Sequence, residues 1–306
     1  MSSADITSLG TALATEGATG ARVPQTYRQS KKPKKGIIPT VVATTIALLW
    51  TIPTVGLLIT SFRPQIDALR SGWWEAFSEP NFTLDNYRDV LSSDQPVAES
   101  FINSIIITIP AVILPLVLAS LAAYGFAWID FRGRPALFVA VFALQIVPLQ
   151  VALIPLLTDY VSFGLGGTFW PIWISHSIFA LPLAVYLLNN FMREIPRELV
   201  EAARVDGAGH VKIFFQVLMP LLTPAIAAFG IFQFLWVWND LLVGLTFGST
   251  DTKPITVIVA DLVGTRGSAW HLLSAGAFVS IALPVIVFVS LQRFFVRGLL
   301  AGGLKG

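Results

Sequence analysis

Long runs without charged residues recur along the chain, and short charged segments separate them. Each run exceeds the roughly 20 residues that an α-helix needs to cross about 30 Å of hydrocarbon. Leu, Ile, Val and Phe favour insertion into the bilayer, and no central charge opposes it. The pattern predicts an all-α membrane protein whose transmembrane helices cover residues 37–62, 101–129, 135–158, 169–191, 220–246 and 271–292.

The composition agrees with a membrane protein. Charged residues make up 12% of the 306 residues, whereas a soluble domain has about 25%. The net charge of +2 gives no argument for a nucleic-acid partner. Because the chain has no cysteine, disulfides, thiolate catalysis and cysteine-bound metals are excluded.

The distribution of Lys and Arg predicts the orientation. Most of the 20 basic residues lie before the first apolar run, in DFRGRP, in the segment 192–212 or after residue 292. Loops rich in basic residues remain in the cytoplasm. We therefore expect both termini and the loop 193–220 in the cytoplasm, and the segment 63–99 on the extracytoplasmic side.

Both ends of the chain differ from the apolar body. Residues 1–36 are polar and end in KKPKK, which predicts a disordered basic cytoplasmic tail that also suits contact with anionic lipid. The apolar run that follows is too long for a cleavable signal peptide. The segment 293–306 is a glycine-rich cytoplasmic tail, and its glycines predict a flexible segment rather than a folded element.

The apolar runs lack the groups that carry most transport or enzyme chemistry. Asp130, Asp159 and Asp240 lie at or near the ends of predicted spans, so no carboxylate marks a proton relay inside a span. The chain has no GxxxxGK[ST] motif, and its three histidines lack the spacing of a metal site. We expect no enzyme activity, no metal and no cofactor, and a pore whose energy source lies elsewhere.

One charged loop, REIPRELVEAARVDGAGHVKIFFQVLMP at 193–220, stands between the fourth and fifth predicted spans. Pro196 suits the first turn of a helix. Leu199, Ala202 and Ala203 then recur at helical spacing and form one narrow face. Such a face fits the groove of another protein.

The same loop contains two glycines that end this helix, Gly207 and Gly209, and a second helix is expected from about His210. The result is a short helix–turn–helix beneath the membrane. The residues alone leave two interpretations open, a docking element and a solvent-exposed turn.

The loop resembles the EAA loop of ABC importer permeases, in which EAA is followed by three residues, Gly, nine residues and I-x-L-P. EAA at 201–203, Gly207 and VLMP at 217–220 keep that spacing. In that family the loop holds the helix that sits in a cleft of the cytoplasmic ATPase. The resemblance implies that the ATPase-coupling residues are Leu199, Glu201, Ala202, Ala203, Asp206, Gly207, Gly209 and Pro220.

Further segments are similar to the oligosaccharide permeases of the carbohydrate-uptake importers. They are TLDNYRDVL at 83–91, FINS at 101–104, WND at 238–240 and the C-terminal FVRGLLAGGLKG, while GWWEAF and GTRGSAWHLL look most like α-glucoside permeases. The resemblance implies the type I ABC importer permease fold with six transmembrane helices. It also implies one permease subunit of an ATP-driven, binding-protein-dependent sugar importer of the maltose/α-glucoside type.

The same resemblance implies the partners. They are a second permease subunit, two ATPase subunits, an extracytoplasmic sugar-binding protein and the lipid of a bacterial or archaeal cell membrane. By this resemblance the C-terminal tail contacts the ATPase through Gly302, Gly303 and Lys305.

Amide side chains in the spans are candidates for lining a solute pathway. Amides also bond to neighbouring helices, and both interpretations stay open. A secondary facilitator that works without an ATPase, a permease for a non-sugar solute and a membrane scaffold remain as alternative functions. The candidate amides are Gln145, Gln150, Asn189, Gln233 and Asn239, and the aromatic faces that suit a sugar are Trp236 and Trp238.

Overall fold

Helices form the regular structure of the chain in a computed structural model that describes residues 36–92, 96–262 and 269–303. A short 3-10 helix, Trp73–Phe77, stands between the second and third α-helices. The α-helices are α1 (Ile37–Ser61), α2 (Gln65–Arg70), α3 (Asp85–Leu91), α4 (Val97–Trp128), α5 (Arg134–Ala143), α6 (Leu149–Ser162), α7 (Trp170–Glu194), α8 (Arg197–Val205), α9 (His210–Trp238), α10 (Leu242–Phe247), α11 (Ile255–Asp261) and α12 (Trp270–Gly303).

Among these described helices, α1, α4, α7, α9 and the first part of α12 are long and apolar enough to cross a membrane. The pair formed by α5 and α6 adds a sixth span if the two count as one. The expected all-helical class is therefore confirmed. Contacts divide the chain into two units, Met1–Thr51 and Ile52–Gly306, and every contact described below lies within the second unit.

The third span is broken, which corrects the continuous helix expected over 135–158. α5 passes into a 3-10 turn, Leu144–Ile146, and the axis then bends by 97° before α6 continues. Val147 is extended, with φ −71° and ψ 116°, because a residue before proline avoids the helical region. Pro148 also lacks the N–H that would carry the helix across the break.

The fifth span also differs from the expected helix over 220–246. α9 ends at Trp238, and a separate short helix, α10, follows. The Asp240 carboxylate accepts hydrogen bonds from the backbone N–H of Val243 at 2.8 Å and of Gly244 at 3.4 Å. Because this carboxylate occupies the free N–H groups at the start of α10, it favours a new helix over continuation of the old one.

The last helix is longer than expected. α12 runs from Trp270 to Gly303, so the glycine-rich segment from 293 is helical as far as Gly303 rather than flexible. Each added residue extends an existing helix without a new nucleus, although a glycine is about 1 kcal/mol less favourable there than an alanine. Lys305 and the basic tail before residue 36 lie outside the described residues.

Small side chains bring α4 and α7 together. Ala119 and Ala123 of α4 share a buried cluster with Ala180 and Ala184 of α7. Residues of this size let two helix backbones approach closely, which gives close van der Waals packing in a membrane. This contact is the most extensive between any two described helices, and it forms the centre of the fold.

The segment between α1 and α4 is held by a buried polar clasp. Arg63 is almost fully buried, and its Nη1 donates to the backbone oxygens of Ser71 and Gly72 at 3.2 and 3.0 Å. Asn86 Nδ2 donates to the oxygens of Ser61 and Arg63 at 2.9 and 2.8 Å. The polar groups satisfy each other, so this segment is a folded element.

The first testable prediction concerns orientation. Ser78 is exposed beside the polar clasp, and Val211 is exposed in the first turn of α9. Because the chain has no native cysteine, a membrane-impermeant thiol reagent should label Ser78→Cys in intact cells and Val211→Cys only after permeabilisation. The opposite labelling pattern would show that the basic loops lie outside.

Candidate functional site

α8 has defined ends. Pro196 precedes its first residue in an extended conformation, which suits a residue that has no N–H to donate. At the other end the N–H of Ala208 donates to the oxygen of Ala203 at 2.9 Å, and the N–H of Gly207 to that of Arg204 at 3.0 Å. These two bonds form a Schellman motif.

Gly207 supplies the left-handed residue that this motif requires. Its φ is +77°, as expected for the glycine that ends the first helix. Gly209 has an ordinary extended conformation, with φ −75° and ψ 172°, and it precedes α9. The two glycines therefore act differently: Gly207 ends α8, and Gly209 leads into the next helix.

The sides of α8 have different surroundings. Val200 is only 2% exposed and lies in the core cluster, and Ala203 packs half-buried against the same cluster. Leu199 is 46% exposed and Val205 is 88% exposed, and Ala202 is exposed between them. Of the small face predicted at 199, 202 and 203, only Leu199 and Ala202 are exposed. Ala203 instead packs with Val200 and attaches the helix to the protein body.

The remaining predicted loop residues surround this helix. Glu201 lines a polar cavity, Asp206 is exposed at the end of α8, and Pro220 lies in α9 just after a π-helical stretch, Ile213–Leu218. Proline cannot bond to the residue four positions earlier, and a π segment before it places the backbone bonds in a different register. The predicted loop residues are therefore neighbours along one short piece of chain, but they do not share one face.

A contact that the sequence did not reveal fixes the start of α9. Tyr124 Oη of α4 lies 2.6 Å from Nδ1 of His210, and the Tyr124 ring meets Phe214 edge-on at 5.4 Å. Tyr124 and Phe214 are both buried. Nothing in the spacing of residues 86 positions apart points to this pair.

The candidate pathway amides separate into two groups. Gln233 is 0% exposed, and its Nε2 donates to the backbone oxygen of Ala111 in α4 at 3.1 Å. Asn189 is also buried, in α7. Gln145 and Gln150 are instead exposed on the two sides of the break between α5 and α6. The two groups therefore differ in exposure: Gln233 and Asn189 are buried, and Gln145 and Gln150 lie at the surface.

The other candidates near the end of α9 have partners in the protein. Asn239 Nδ2, just beyond α9, donates to the oxygen of Leu235 in α9 at 2.7 Å. Trp238 is buried, and its Nε1 donates to the oxygen of Ser280 in α12 at 3.1 Å. Trp238 therefore joins two helices rather than offering a face to a sugar.

A buried polar pair lies beside Trp236 and was missed by the sequence analysis. His176 of α7 is buried, its Nε2 is 4.0 Å from Oδ2 of Asp240, and its ring meets Trp236 edge-on at 5.7 Å. The pair joins α7 to the capped turn between α9 and α10. Isolated histidines in an apolar sequence give no signal for such a pairing.

One family model and several known proteins match this chain in sequence. Residues 115–300 match the family model described as the binding-protein-dependent transport system inner membrane component. The osmoprotective compounds uptake permease protein GgtD of Synechocystis sp. is 51% identical over 267 residues, which are 85% of this chain and 89% of that protein. The α-glucoside transport system permease protein AglG of Rhizobium meliloti is 48% identical over 241 residues, 76% of this chain and 63% of that protein.

The fold also occurs in a solved structure. A chain in the crystal structure of a bacterial ABC transporter involved in the import of the acidic polysaccharide alginate superposes with a TM-score of 0.71. The match covers 85% of this chain and 96% of that chain at 21% identity. The expected ABC importer permease fold is thereby confirmed.

The second prediction tests the turn after α8. Neither glycine has an atom within 4 Å of the position that a Cβ would take, so only backbone conformation distinguishes them. Gly207→Ala should lower the free energy of unfolding by about 1 kcal/mol, since a side chain strains the left-handed region. Gly209→Ala is the matched control and should change stability by less than about 0.5 kcal/mol. Equal unfolding midpoints in detergent would contradict the assigned conformations.

Proposed function

This chain belongs to the family of inner membrane components of binding-protein-dependent transport systems, and we propose that it is one of two permease subunits of an ATP-driven sugar importer. A sugar or glycoside is favoured by the α-glucoside relative, which is named for such a solute. The GgtD relative is named for osmoprotective compounds, and a small glycoside satisfies both descriptions. The family is named for its dependence on a binding protein, so we propose that an extracytoplasmic binding protein delivers the solute.

Coupling to a cytoplasmic ATPase is the role we propose for α8. Leu199, Ala202 and Val205 form an exposed, small apolar face on a short helix. A helix of this kind binds by placing its apolar face in a groove of another protein. This face, exposed although it is apolar, is the observation that carries the proposal.

Transmission of movement from α8 to the spans is supported by its attachments. Val200 and Ala203 pack against the core cluster that contains α4 and α7. The bond between Tyr124 and His210 joins α4 to the start of α9. Because packed interiors shift as units rather than deforming continuously, displacement of α8 by an ATPase would move α4 and α9 with it.

A solute pathway beside the break between α5 and α6 is the second part of the proposal. Non-helical backbone at membrane depth is tolerated where it lies within protein or lines a water-filled cavity. Discontinuous helices form the solute sites of many transporters. The exposed amides of Gln145 and Gln150 on either side of Pro148 would offer hydrogen bonds to hydroxyl groups there.

The remaining partners follow from the same assignment. One permease subunit forms half of the pathway, so a second permease subunit and two ATPase subunits complete the assembly. We propose that the end of α12, with Gly302 and Gly303, approaches the ATPase pair together with Lys305.

The third prediction tests the coupling face. Ala202→Asp places a carboxylate in a groove that fits a methyl group, and an unpaired buried charge is strongly unfavourable. ATPase subunits should co-purify at least about tenfold less well, and sugar uptake should fall equally. Ala98→Asp is the matched control, since Ala98 is exposed in the first turn of α4, where an acidic residue is tolerated.

Two outcomes would contradict the coupling proposal. Normal co-purification and uptake by Ala202→Asp would reduce α8 to a solvated turn. Sugar uptake by proteoliposomes that contain this chain without an ATPase would identify a secondary facilitator instead.

The fourth prediction separates the two groups of amides. The double variant Gln145→Leu/Gln150→Leu should assemble normally and lower uptake by about fivefold for each hydrogen bond lost to the solute. Gln233→Leu should instead lower the unfolding free energy by about 1 kcal/mol, because the bond to Ala111 is lost. If the double variant transports at the wild-type rate, the pathway lies elsewhere.

A further inference from the structure

A polar cavity of about 170 Å³ lies between the end of α4, the start of α5 and one side of α8. This volume is several times the roughly 30 Å³ that one water occupies in the liquid, so the cavity has room for a polyatomic group. Its polar wall consists of Trp128, Asp130, Arg134, Arg197, Glu201 and Arg204.

The charges in the wall favour an anion. Arg134 pairs with Asp130 at 2.8 Å, but the Asp130 side chain is 97% exposed, so this pair is weak. Neither Arg197 nor Arg204 forms an ion pair with any described residue. Glu201 offsets one of the three guanidinium groups, and the wall keeps a net positive charge.

The wall also contains a buried donor without an acceptor. Trp128 Nε1 is buried and has no hydrogen-bond partner among the described residues. Burial of an N–H group without a partner is costly, and such groups are rare in folded proteins. An anion in this cavity would bring an acceptor to a wall that already contains guanidinium donors.

We propose that this cavity binds the phosphate group of an anionic phospholipid. Arginine pairs match phosphate oxygens in a bidentate manner, and basic pockets at the ends of membrane helices bind anionic headgroups. Ile129, Phe131 and Leu137 are exposed apolar neighbours of the lining residues along the chain, and they offer a surface to acyl chains. This surface favours a lipid over a free phosphate as the source of the group.

The lipid site and the coupling face lie on different sides of α8. Arg197, Glu201 and Arg204 recur at spacings of four and three, which places them on one side of a helix. Leu199, Ala202 and Val205 lie on another side and are exposed. A lipid in the cavity therefore leaves the exposed apolar face of α8 uncovered, and it connects α8 to α4 and α5.

The experiment measures lipid binding to the full-length chain. The delipidated protein in detergent is titrated with phosphatidylglycerol or phosphatidylcholine, and native mass spectrometry counts the bound lipids. Arg197→Gln and Arg204→Gln should each weaken phosphatidylglycerol binding by about fivefold. Arg132→Gln is the matched control, since Arg132 is exposed two residues before Arg134 but does not line the cavity; it should bind as the wild type does.

Two further variants test the wall, and the gain of binding expected of the first is one that misfolding would not imitate. Glu201→Gln should strengthen phosphatidylglycerol binding, because it removes the carboxylate that faces the anion. Trp128→Phe keeps an aromatic ring but removes the N–H, and it should weaken binding by about threefold.

The outcomes distinguish a lipid from a free phosphate as the source of the bound phosphate group. Displacement of the lipid by inorganic phosphate would support a site that recognises the phosphate group alone, and resistance to displacement would support recognition of the whole lipid. Equal binding of both lipids, or wild-type binding by Arg197→Gln and Arg204→Gln, would overturn the proposal. It would also be overturned if these two variants kept the lipid but lost the ATPase subunits, since the cavity would then receive a carboxylate of that partner.

Discussion

The close contact between α4 and α7 is the constraint on which the other helices depend. Alanines at the contact bring the two backbones together, and this sets the space into which larger side chains fit. Phe214 and Leu218 of α9 lie in the same buried cluster, as does Val200 of α8. A larger side chain at the contact would therefore shift the surface that supports α8 as well as the spans themselves.

Unpaired backbone groups explain why two of the spans are interrupted in different ways. A membrane offers no water to a free N–H or C=O, so every break in a helix needs a local substitute. At the end of α9 the Asp240 carboxylate provides it, and Thr256 Oγ1 donates to the Asp240 backbone oxygen at 2.6 Å. At Pro148 the missing donor is the proline's own, and the chain bends instead.

The sequence alone predicts the class of the protein well, because hydrocarbon thickness and charge placement act on whole segments. It also predicts the left-handed Gly207, since few other residues accept that conformation. It does not predict where helices break inside apolar runs, because Pro148 produces a sharp bend while Pro110 and Pro115 lie within the continuous helix α4. Pro115 is buried and Pro110 is half-buried, whereas Pro148 is exposed, and no local pattern encodes that difference.

In the candidate site, too, the sequence predicts some features and not others. The spacing of the loop residues identified the segment, but it could not show that Ala203 faces the core while Val205 faces outward. That distinction depends on the rotation of a nine-residue helix about its axis, and the helix is rotated by its contacts. Tyr124, His176 and Trp128 were missed for a related reason, since their partners or neighbours lie far away in the chain.

The π-helical stretch Ile213–Leu218 has a geometric consequence for the way the loop and the fifth span are joined. A π segment amounts to an extra residue inserted into an α-helix, and each residue of an α-helix corresponds to about 100° of rotation and 1.5 Å of rise. Absorbing that residue into regular α-helix would turn the loop about the axis of α9 without unwinding the helix. The π-helical stretch therefore gives α9 a place where the loop can rotate relative to the membrane-spanning part of the protein.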